Sequence, residues 1–256
     1  MCLFTRLMKT GGKSISNVKL FEKEQKMVRE FRLRKGDGSL ALFVLPVTPF
    51  IQNCTFAVCT ATNKCAVFDP GGEVDKILKA AKEIGCDIDK ILVTHGHLDH
   101  MGGAMALKKE TEAVLLGPHS DDIMVMNMMK QLFGNFAYYG YPEILEPFCP
   151  DGYLNDKDKV SVGNIEWEVI HCPGHTPGHL VYYNKKNSFA QVGDVLFNGS
   201  VGRTDLPGSS HADLINSITK KLWPLGDLDF IPGHGEASTF SKERAGNPFV
   251  GDYAVM

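Results

Sequence analysis

Four potential metal ligands lie within the six residues His95-Gly96-His97-Leu98-Asp99-His100. Imidazole and carboxylate groups suit zinc, iron or manganese, whereas structural zinc sites are usually richer in thiolates, and this segment has no cysteine. Three imidazoles and one carboxylate are enough to serve two neighbouring cations. Such a pair lowers the pKa of a shared water and supplies hydroxide near neutral pH. The segment therefore predicts a metal-dependent hydrolase.

Further histidines and one carboxylate come later in the chain, each just past a short β-rich run. His175 lies in the segment 171–179, where Pro-Gly pairs predict tight turns that hold a side chain rigidly. Asp194 and His234 each follow another β-rich run. Because layered α/β folds gather their functional groups at strand ends, we expect these side chains to join the first cluster.

Alternating strand and helix patterns must position these residues. From residue 40 onward, β-rich runs alternate with segments whose apolar residues recur at helical spacing. The predicted strands cover residues 41–47, 54–60, 65–68, 91–94, 113–116, 160–162, 165–171, 179–183, 189–192 and 229–231. The predicted helices cover residues 74–84, 104–110 and 212–222. This order predicts a layered α/β fold in which two sheets pack face to face between outer helices.

The segment 121–151 interrupts this order. It begins with a methionine-rich helical pattern and continues with phenylalanines and tyrosines among glycines. Such apolar clusters usually belong to the core, and we favour that interpretation. The alternative is a lid over the site, because long irregular insertions in compact domains often cover an active site.

Composition and charge disfavour several classes of protein. The 256 residues carry a formal net charge of −3, and 43% of them are hydrophobic, as in ordinary globular proteins. No basic stripe surrounds the histidine motif, so we expect no nucleic-acid partner. No apolar run approaches the roughly 18 residues of a membrane helix. The seven cysteines form no C-x-x-C motif, which favours reduced thiols and a cytoplasmic protein. We expect a monomer or a small homo-oligomer.

The first 40 residues differ from the rest, with ten Lys or Arg against four acids. We therefore divide the chain into a basic extension over residues 1–40 and a catalytic domain over residues 41–256. A disordered or helical extension, or a chain that starts at Met27, is the interpretation that we favour. An organellar targeting segment is the alternative, because such segments are basic and poor in acids.

Four motifs follow one another in order: H-x-H-x-D-H at 95–100, P-G-H-T-P-G-H at 173–179, G-D at 193–194 and P-G-H-G at 232–235. Together they resemble the metallo-β-lactamase superfamily. Within it, the chain is similar to the short glyoxalase II-type hydroxyacylglutathione hydrolases. The segments that carry this similarity are 46–48, 52–54, 69–72, 202–205 and 247–249.

The resemblance extends from residue 46 to residue 249 and implies an αβ/βα four-layer sandwich. It implies no extra C-terminal helical domain of the kind that longer glyoxalase II members carry, because 22 residues follow His234. It also implies two divalent metal ions, with zinc as the first choice and iron or manganese as alternatives. Seven ligands are implied: His95, His97 and His175 at one metal, Asp99, His100 and His234 at the other, and Asp194 at both.

Four residues carry further expectations. Asp99 is expected to orient the attacking water or accept its proton, and so to be catalytic as well as a ligand. Asp69 and His179 are expected to orient metal ligands from behind. Arg203 stands where the family has a basic substrate contact. For Asp69, His179 and Arg203, a purely structural or surface role is the alternative.

The activity implied is hydrolysis of a small-molecule glutathione thioester, an S-(2-hydroxyacyl)glutathione such as S-lactoylglutathione, as in methylglyoxal detoxification. The products are glutathione and a 2-hydroxy acid. A persulfide dioxygenase that uses His95, His175 and Asp194 on a single Fe(II) is the first alternative. A metal-binding module without catalysis is the second.

Overall fold

The computed structural model describes residues 28–132 and 148–254. Strands among these residues form two six-stranded sheets. The first contains, in spatial order, β1 (Arg29–Phe31), β2 (Leu40–Val47), β3 (Gln52–Cys59), β4 (Lys64–Phe68), β5 (Asp87–Leu92) and β6 (Val114–Leu116). The second contains β14 (Ser238–Thr239), β13 (Asp229–Pro232), β10 (Phe189–Gly193), β9 (Leu180–Asn184), β8 (Ile165–His171) and β7 (Lys159–Val162). A small hairpin joins β11 (Leu196–Phe197) to β12 (Ser200–Val201).

Helices cover the outer faces of both sheets. On the first sheet, α1 (Val74–Ile84) and α3 (Ala104–Thr111) bury their apolar sides, and the short α2 (Leu98–Met101) and α4 (Ile123–Leu132) add one methionine each. On the second sheet lie α5 (His211–Asn216), which continues in π-helical turns over Ser217–Leu222, and α6 (Phe240–Gly246). This order of layers confirms the predicted αβ/βα four-layer sandwich.

Aromatic side chains fill the layer between the two sheets. Phe68 of the first sheet meets Trp167 and Tyr182 of the second edge to face, with ring centroids 5.1 and 5.2 Å apart. Large buried aromatic rings supply much of a core's apolar burial. The Tyr182 hydroxyl also donates a hydrogen bond of 2.9 Å to the carbonyl oxygen of Val93, just before the histidine motif. The core therefore fixes the second sheet against the start of that motif.

Helix α1 illustrates why the sequence pattern predicted the elements well. Its buried residues Val74, Ile77, Ala80 and Ala81 recur at helical spacing and face the sheet. The helix ends where Gly85 adopts a left-handed conformation (φ 79°), and the Gly85 amide donates to the carbonyl oxygen of Ala81. Glycine favours this cap because it has no Cβ atom.

The ends of parallel strands from both sheets meet at one edge of the sandwich. β4 pairs in parallel with β5, and β10 pairs in parallel with β13. Asn53 joins the two sheets there, because its amide donates to the Gly233 carbonyl (2.7 Å) and its side chain donates to the carbonyls of Pro232 and Gly235. The Leu180 amide donates to the carbonyl oxygen of Thr94 at 2.8 Å. These bonds bring the loops of both halves together.

Some elements differ from the sequence expectations. The predicted strand 91–94 begins earlier and spans Asp87–Leu92, and the predicted helix 212–222 divides into α5 and the π-helical turns. The patterns did not predict β1, β11, β12, β14 or α6. Most of these are strands of two or three residues, too short to show a period. They form because neighbouring strands pair with them.

The predicted extension and the predicted segment 121–151 both include residues that the structure does not describe. The extension predicted over 1–40 includes residues 1–27, which lie outside the described residues, whereas β1 pairs with β2, so the packed chain begins before residue 41. The segment 121–151 contains α4, but residues 133–147 lie outside the description, and with them the aromatic part of the predicted lid. Among residues 28–132 and 148–254, every helix is too short or too polar to cross a lipid bilayer.

Candidate metal centre

Two buried imidazoles and one half-buried imidazole, from two loops, meet at one point. The Nδ1 atom of His97 lies 3.0 Å from the Nε2 atom of His95 and 3.0 Å from the Nε2 atom of His175. We call these residues the three-histidine group. Burial, and after it the neighbouring imidazoles, lowers the pKa of His97 to about 3 and that of His95 well below its usual range. All three rings are therefore neutral at pH 7 and keep a lone pair.

Hydrogen bonds behind the rings determine where those lone pairs point. The Thr94 hydroxyl donates to Asp69, so its oxygen accepts the Nδ1 proton of His95 at 2.9 Å. His175 donates its own Nδ1 proton to the carbonyl oxygen of Arg203, also at 2.9 Å. The Nε2 atoms of His95 and His175 therefore both face His97 as unprotonated acceptors. The Nδ1 atom of His97 can donate one hydrogen to only one of these acceptors, whereas a bound cation satisfies all three nitrogens.

A second group, Asp99, His100 and His234, lies beside the first, and we call it the mixed group. His100 donates its Nδ1 proton to Asp69 (3.0 Å), and His234 donates its Nδ1 proton to the Phe50 carbonyl (3.1 Å). Their two Nε2 atoms are 3.3 Å apart, and the Asp99 carboxylate lies 3.1 Å from that of His234. Burial would lower the pKa values of His100 and His234, but Asp194 and Asp99 outweigh it and raise both. The mixed group therefore favours positive charge beside its carboxylates, which a bound cation would supply.

The carboxylate of Asp194 lies between the two groups. Its Oδ1 atom is 3.4 Å from His100 Nε2, and its Oδ2 atom is 3.6 Å from His175 Nε2 and 3.7 Å from His234 Nε2. Burial would raise the pKa of Asp194, but His100 and the other imidazoles outweigh it and hold the pKa well below its usual range. The buried Oδ1 atom has no hydrogen-bond donor. An ionised, buried and unpaired carboxylate oxygen is costly, so this site fits bound cations.

Glycines let the loops approach closely enough to form the site. A Cβ atom at Gly202 would lie 1.9 Å from the carbonyl oxygen of Asp194, and one at Gly233 would lie 2.0 Å from the Asp194 carboxylate. Any other residue at these positions would push the carboxylate or its strand away. Glycine is therefore needed at both positions for the geometry.

The structure places the other predicted site residues around this centre. Buried Asp69 accepts from the Thr94 amide (2.7 Å), the Thr94 hydroxyl (2.8 Å) and His100 Nδ1 (3.0 Å). His179 stacks on His95, with centroids 4.6 Å apart, and accepts from the Asp194 amide at 3.0 Å. Asp69 therefore contacts His100 and Thr94 directly, and His179 contacts His95 and the backbone of Asp194.

The backbone carbonyl of Arg203 contacts His175 at the centre, whereas its guanidinium lies at the surface. The guanidinium donates to both carboxylate oxygens of Asp205, at 2.7 and 2.8 Å, and the two side chains are 61% and 68% exposed. An exposed pair of this kind contributes little free energy, so Arg203 can exchange Asp205 for another carboxylate.

His119 and His171 lie outside the centre. Their rings stack at 4.2 Å and 16°, with Asp121 close by. A metal ion lies in the plane of each imidazole that binds it, and rings stacked face to face direct their lone pairs past each other. These two histidines therefore do not share an ion in this arrangement.

Sequence reasoning missed Thr94 and Asp122. Thr94 links Asp69 to His95 through its hydroxyl. Buried Asp122 accepts from the backbone of two ligand-bearing loops. Neither belongs to a histidine motif, and Asp122 lies at the start of the methionine-rich segment. The only signal was the position of Thr94 at the end of the predicted strand 91–94, directly before His95.

The family model of the metallo-beta-lactamase superfamily matches residues 47–234. The chain belongs to this superfamily. Family membership confirms the resemblance drawn from the ordered motifs, and it makes a metal-dependent hydrolase the coarse assignment for the chain. Proteins of the superfamily bind divalent metals, which agrees with the donor atoms described above.

Individual members are similar over most of their length. Hydroxyacylglutathione hydrolase GloC of Haemophilus influenzae is 36% identical over 209 residues, which cover 81% of this chain and 96% of that protein. The crystal structure of BLEG-1 B3 metallo-beta-lactamase is 29% identical with a TM-score of 0.72, and the match covers 82% of this chain and 99% of that one. TTHA1623 in a di-iron-bound form is 31% identical with a TM-score of 0.67, covering 80% and 100%.

Proposed function

We propose that this protein is a thioester hydrolase that cleaves S-(2-hydroxyacyl)glutathione, such as S-lactoylglutathione, to glutathione and a 2-hydroxy acid. The observation that carries the proposal is the convergence of five imidazole nitrogens and two carboxylates on a common pocket. The three-histidine group would hold one divalent metal, the mixed group would hold a second, and Asp194 would contact both. Zinc is the metal that we propose.

Two metals at these positions would supply a hydroxide nucleophile near neutral pH and polarise the thioester carbonyl. The chain's own part is to place and orient the reactants. Asp99 reaches toward the space between the two groups and is 18% exposed, so a water can contact it. Burial would raise the pKa of Asp99, but His100 and His234 outweigh it and lower that pKa. Asp99 is therefore an ionised acceptor that can orient water through a hydrogen bond.

The leaving group explains why a thioester suits this site. A thiol has a pKa of about 8.5, so a thiolate departs without protonation by the enzyme. Amide cleavage would require a proton donor for the amine. The histidines of the three-histidine group have lowered pKa values and are poor proton donors at pH 7, and the Nε2 atoms of His100 and His234 would carry no proton while they hold a metal. The site therefore favours a substrate with a good leaving group.

Recognition of glutathione requires a partner for its carboxylates. We propose that the Arg203 guanidinium binds one of these carboxylates in place of Asp205, because the exposed Arg203–Asp205 pair is weak. The backbone carbonyl of Arg203 accepts from His175, so this residue lies beside the three-histidine group. The name of the GloC relative supports a glutathione thioester as the substrate. The di-iron form of TTHA1623 makes iron the alternative metal.

The first rival function is a persulfide dioxygenase, which would need a single iron on His95, His175 and Asp194. The mixed group argues for the hydrolase, because Asp99, His100 and His234 form a second set of ligand atoms that a one-metal enzyme does not use. The second rival, a metal-binding module without catalysis, predicts metal without turnover.

The test is metal analysis of the purified full chain together with turnover of S-lactoylglutathione. We expect about two metals per chain and thioester cleavage that His97→Ala reduces by at least about 100-fold. His119→Ala is the matched control, because it removes an imidazole outside the centre, and it should retain activity. Less than about half a metal per chain, with no cleavage above the His97→Ala background, would contradict the proposal.

Two further assays separate the rivals. Oxygen consumption with glutathione persulfide, without thioester cleavage, would replace the hydrolase with the dioxygenase. Hydrolysis of a β-lactam but not of any glutathione thioester would retain the hydrolytic centre and overturn the substrate. Full metal loading without activity on any of these compounds would support the binding module.

A further inference from the structure

One buried carboxylate connects the two loops that carry the three-histidine group. The Oδ2 atom of Asp122 accepts from the Gly96 amide at 2.7 Å and from the Thr176 hydroxyl at 2.9 Å. The Oδ1 atom accepts from the Gly178 amide at 2.5 Å. Gly96 separates His95 from His97, and Thr176 follows His175 directly. A single side chain therefore binds both loops within one residue of all three imidazoles.

Two glycines make room for this contact. A Cβ atom at Gly178 would lie 2.5 Å from the Asp122 amide nitrogen and 2.8 Å from its Oδ1 atom. A Cβ atom at Gly96 would lie 2.8 Å from the Met126 side chain and 3.3 Å from the Asp122 carbonyl. Real Cβ atoms do not approach as closely as the one at Gly178 would, so glycine there is matched to the position of Asp122, and a Cβ atom at Gly96 would crowd Met126 and, less severely, the Asp122 backbone.

The three histidines need such a connection because they come from opposite halves of the fold. His95 and His97 follow β5 of the first sheet, whereas His175 lies between β8 and β9 of the second. The Leu180 amide, which bonds to the Thr94 carbonyl, is another tie between these loops, but it lies at the strand ends, behind the imidazoles. Asp122, in contrast, accepts a hydrogen bond from Gly96, the residue between the two histidines of the H-x-H motif.

We propose that Asp122 is a positioning residue that sets the distance between His97 and His175 and thereby the metal affinity of the three-histidine group. The proposal relies on the proposed function only in that this group binds a metal. The mixed group has separate supports, since Asp69 holds His100 and the Phe50 carbonyl holds His234. Loss of Asp122 should therefore weaken one metal site and spare the other.

Asp122→Asn is the direct test, because it keeps the size of the side chain but replaces one acceptor oxygen with an NH₂ donor. That donor would face either the Gly96 amide or the Gly178 amide, so at least one loop loses its bond. We would titrate cobalt(II) into the metal-free full chain against a competing chelator. Removal of groups that orient metal ligands typically costs about 10- to 100-fold in affinity, and we expect this loss for one of the two ions only. The second ion should change by less than about threefold.

Thr176→Val and Asp156→Asn complete the design. The valine removes one of the three donors to Asp122 at nearly constant volume, and it should give a smaller loss at the same site. Asp156 is exposed and accepts from the His171 amide at the outer end of the same loop, so Asp156→Asn makes the same chemical change without touching the second loop. It should leave both affinities unchanged.

The possible results distinguish failure of the positioning role from failure of the proposed function. Equal weakening of both ions, or no change in either, in Asp122→Asn would overturn the positioning role. If Asp122→Asn does not fold, Thr176→Val decides, and unchanged cobalt affinity in that variant overturns the role. A wild-type chain that binds no cobalt would instead contradict the proposed function, because the test then fails before Asp122 is changed.

Discussion

The Nδ1 atom of His97 lies 3.0 Å from the Nε2 atom of His175, although 78 residues separate the two histidines. The pair joins the two sheets of the sandwich at the edge where their strands end. A single hydrogen can lie between the two nitrogens, whereas a cation contacts both lone pairs and the neighbouring His95 as well. The fold thereby brings donor atoms from both halves of the chain to one point.

Metal removal should destabilise the protein. The unpaired Oδ1 atom of Asp194 and the facing lone pairs lose their cation when a chelator removes it. A ligand present at 100 times its dissociation constant stabilises the native state by about 2.7 kcal/mol, and at this chain length that is about 5–10 °C in the unfolding temperature. Thermal unfolding with and without chelator measures the effect, and added zinc should reverse it. An unchanged unfolding temperature would show that the centre is stable without metal.

Replacement of Asp69 should weaken metal binding through two ligands at once. Asp69→Asn leaves one acceptor oxygen where three donors from Thr94 and His100 now bind. We expect a loss of about 10- to 100-fold in metal affinity, measured by chelator competition. Asp75→Asn on the exposed face of α1 is the control for the same chemical change, and it should leave affinity intact. If the two variants bind metal equally well, Asp69 has only a structural role.

Arg203 and Asp205 should affect the Michaelis constant in opposite directions. Arg203→Gln removes the proposed partner of a substrate carboxylate and should raise KM by about tenfold, as expected for one charged hydrogen bond, with little change in kcat. Asp205→Asn frees the guanidinium and should lower KM. Steady-state kinetics on S-lactoylglutathione tests both. Unchanged KM in the two variants would remove Arg203 from the substrate contacts.

Cys172 should be chemically inert although it is close to His175 in the chain. Burial raises the pKa of its thiol to about 12, so at pH 8 almost none of it is the reactive thiolate. Iodoacetamide at pH 8 should therefore modify the exposed Cys149 and leave Cys172 unmodified, with activity retained. Peptide mass spectrometry identifies the modified residue. Rapid modification of the folded protein at Cys172 would show that its surroundings open.

The sequence predicted the fold where local patterns carry the information. Apolar spacing and Gly85 defined α1 to the residue, and β-rich runs located most of the longer strands. The histidine motifs indicated a metal-dependent hydrolase because their spacing is unusual and each follows a strand. The two- and three-residue strands were missed, since pairing with neighbouring strands, not their own pattern, produces them.

The residues behind the ligands could be predicted only in part. Asp69 and His179 were expected because the family motifs include them, whereas Asp122 was not expected because its partners are backbone amides of Gly96 and Gly178. Any sequence supplies such amides, so no residue pattern marks the contact. The pairing of Arg203 with Asp205 likewise depends on the local turn, which the motif does not specify.

Anomalous diffraction from crystals of the metal-loaded protein gives the number and the positions of the bound ions. We expect two metal peaks, one among His95, His97 and His175 and the other among Asp99, His100 and His234, with the Asp194 carboxylate between them. A single peak, or peaks away from these side chains in a fully loaded crystal, would contradict the paired-metal centre.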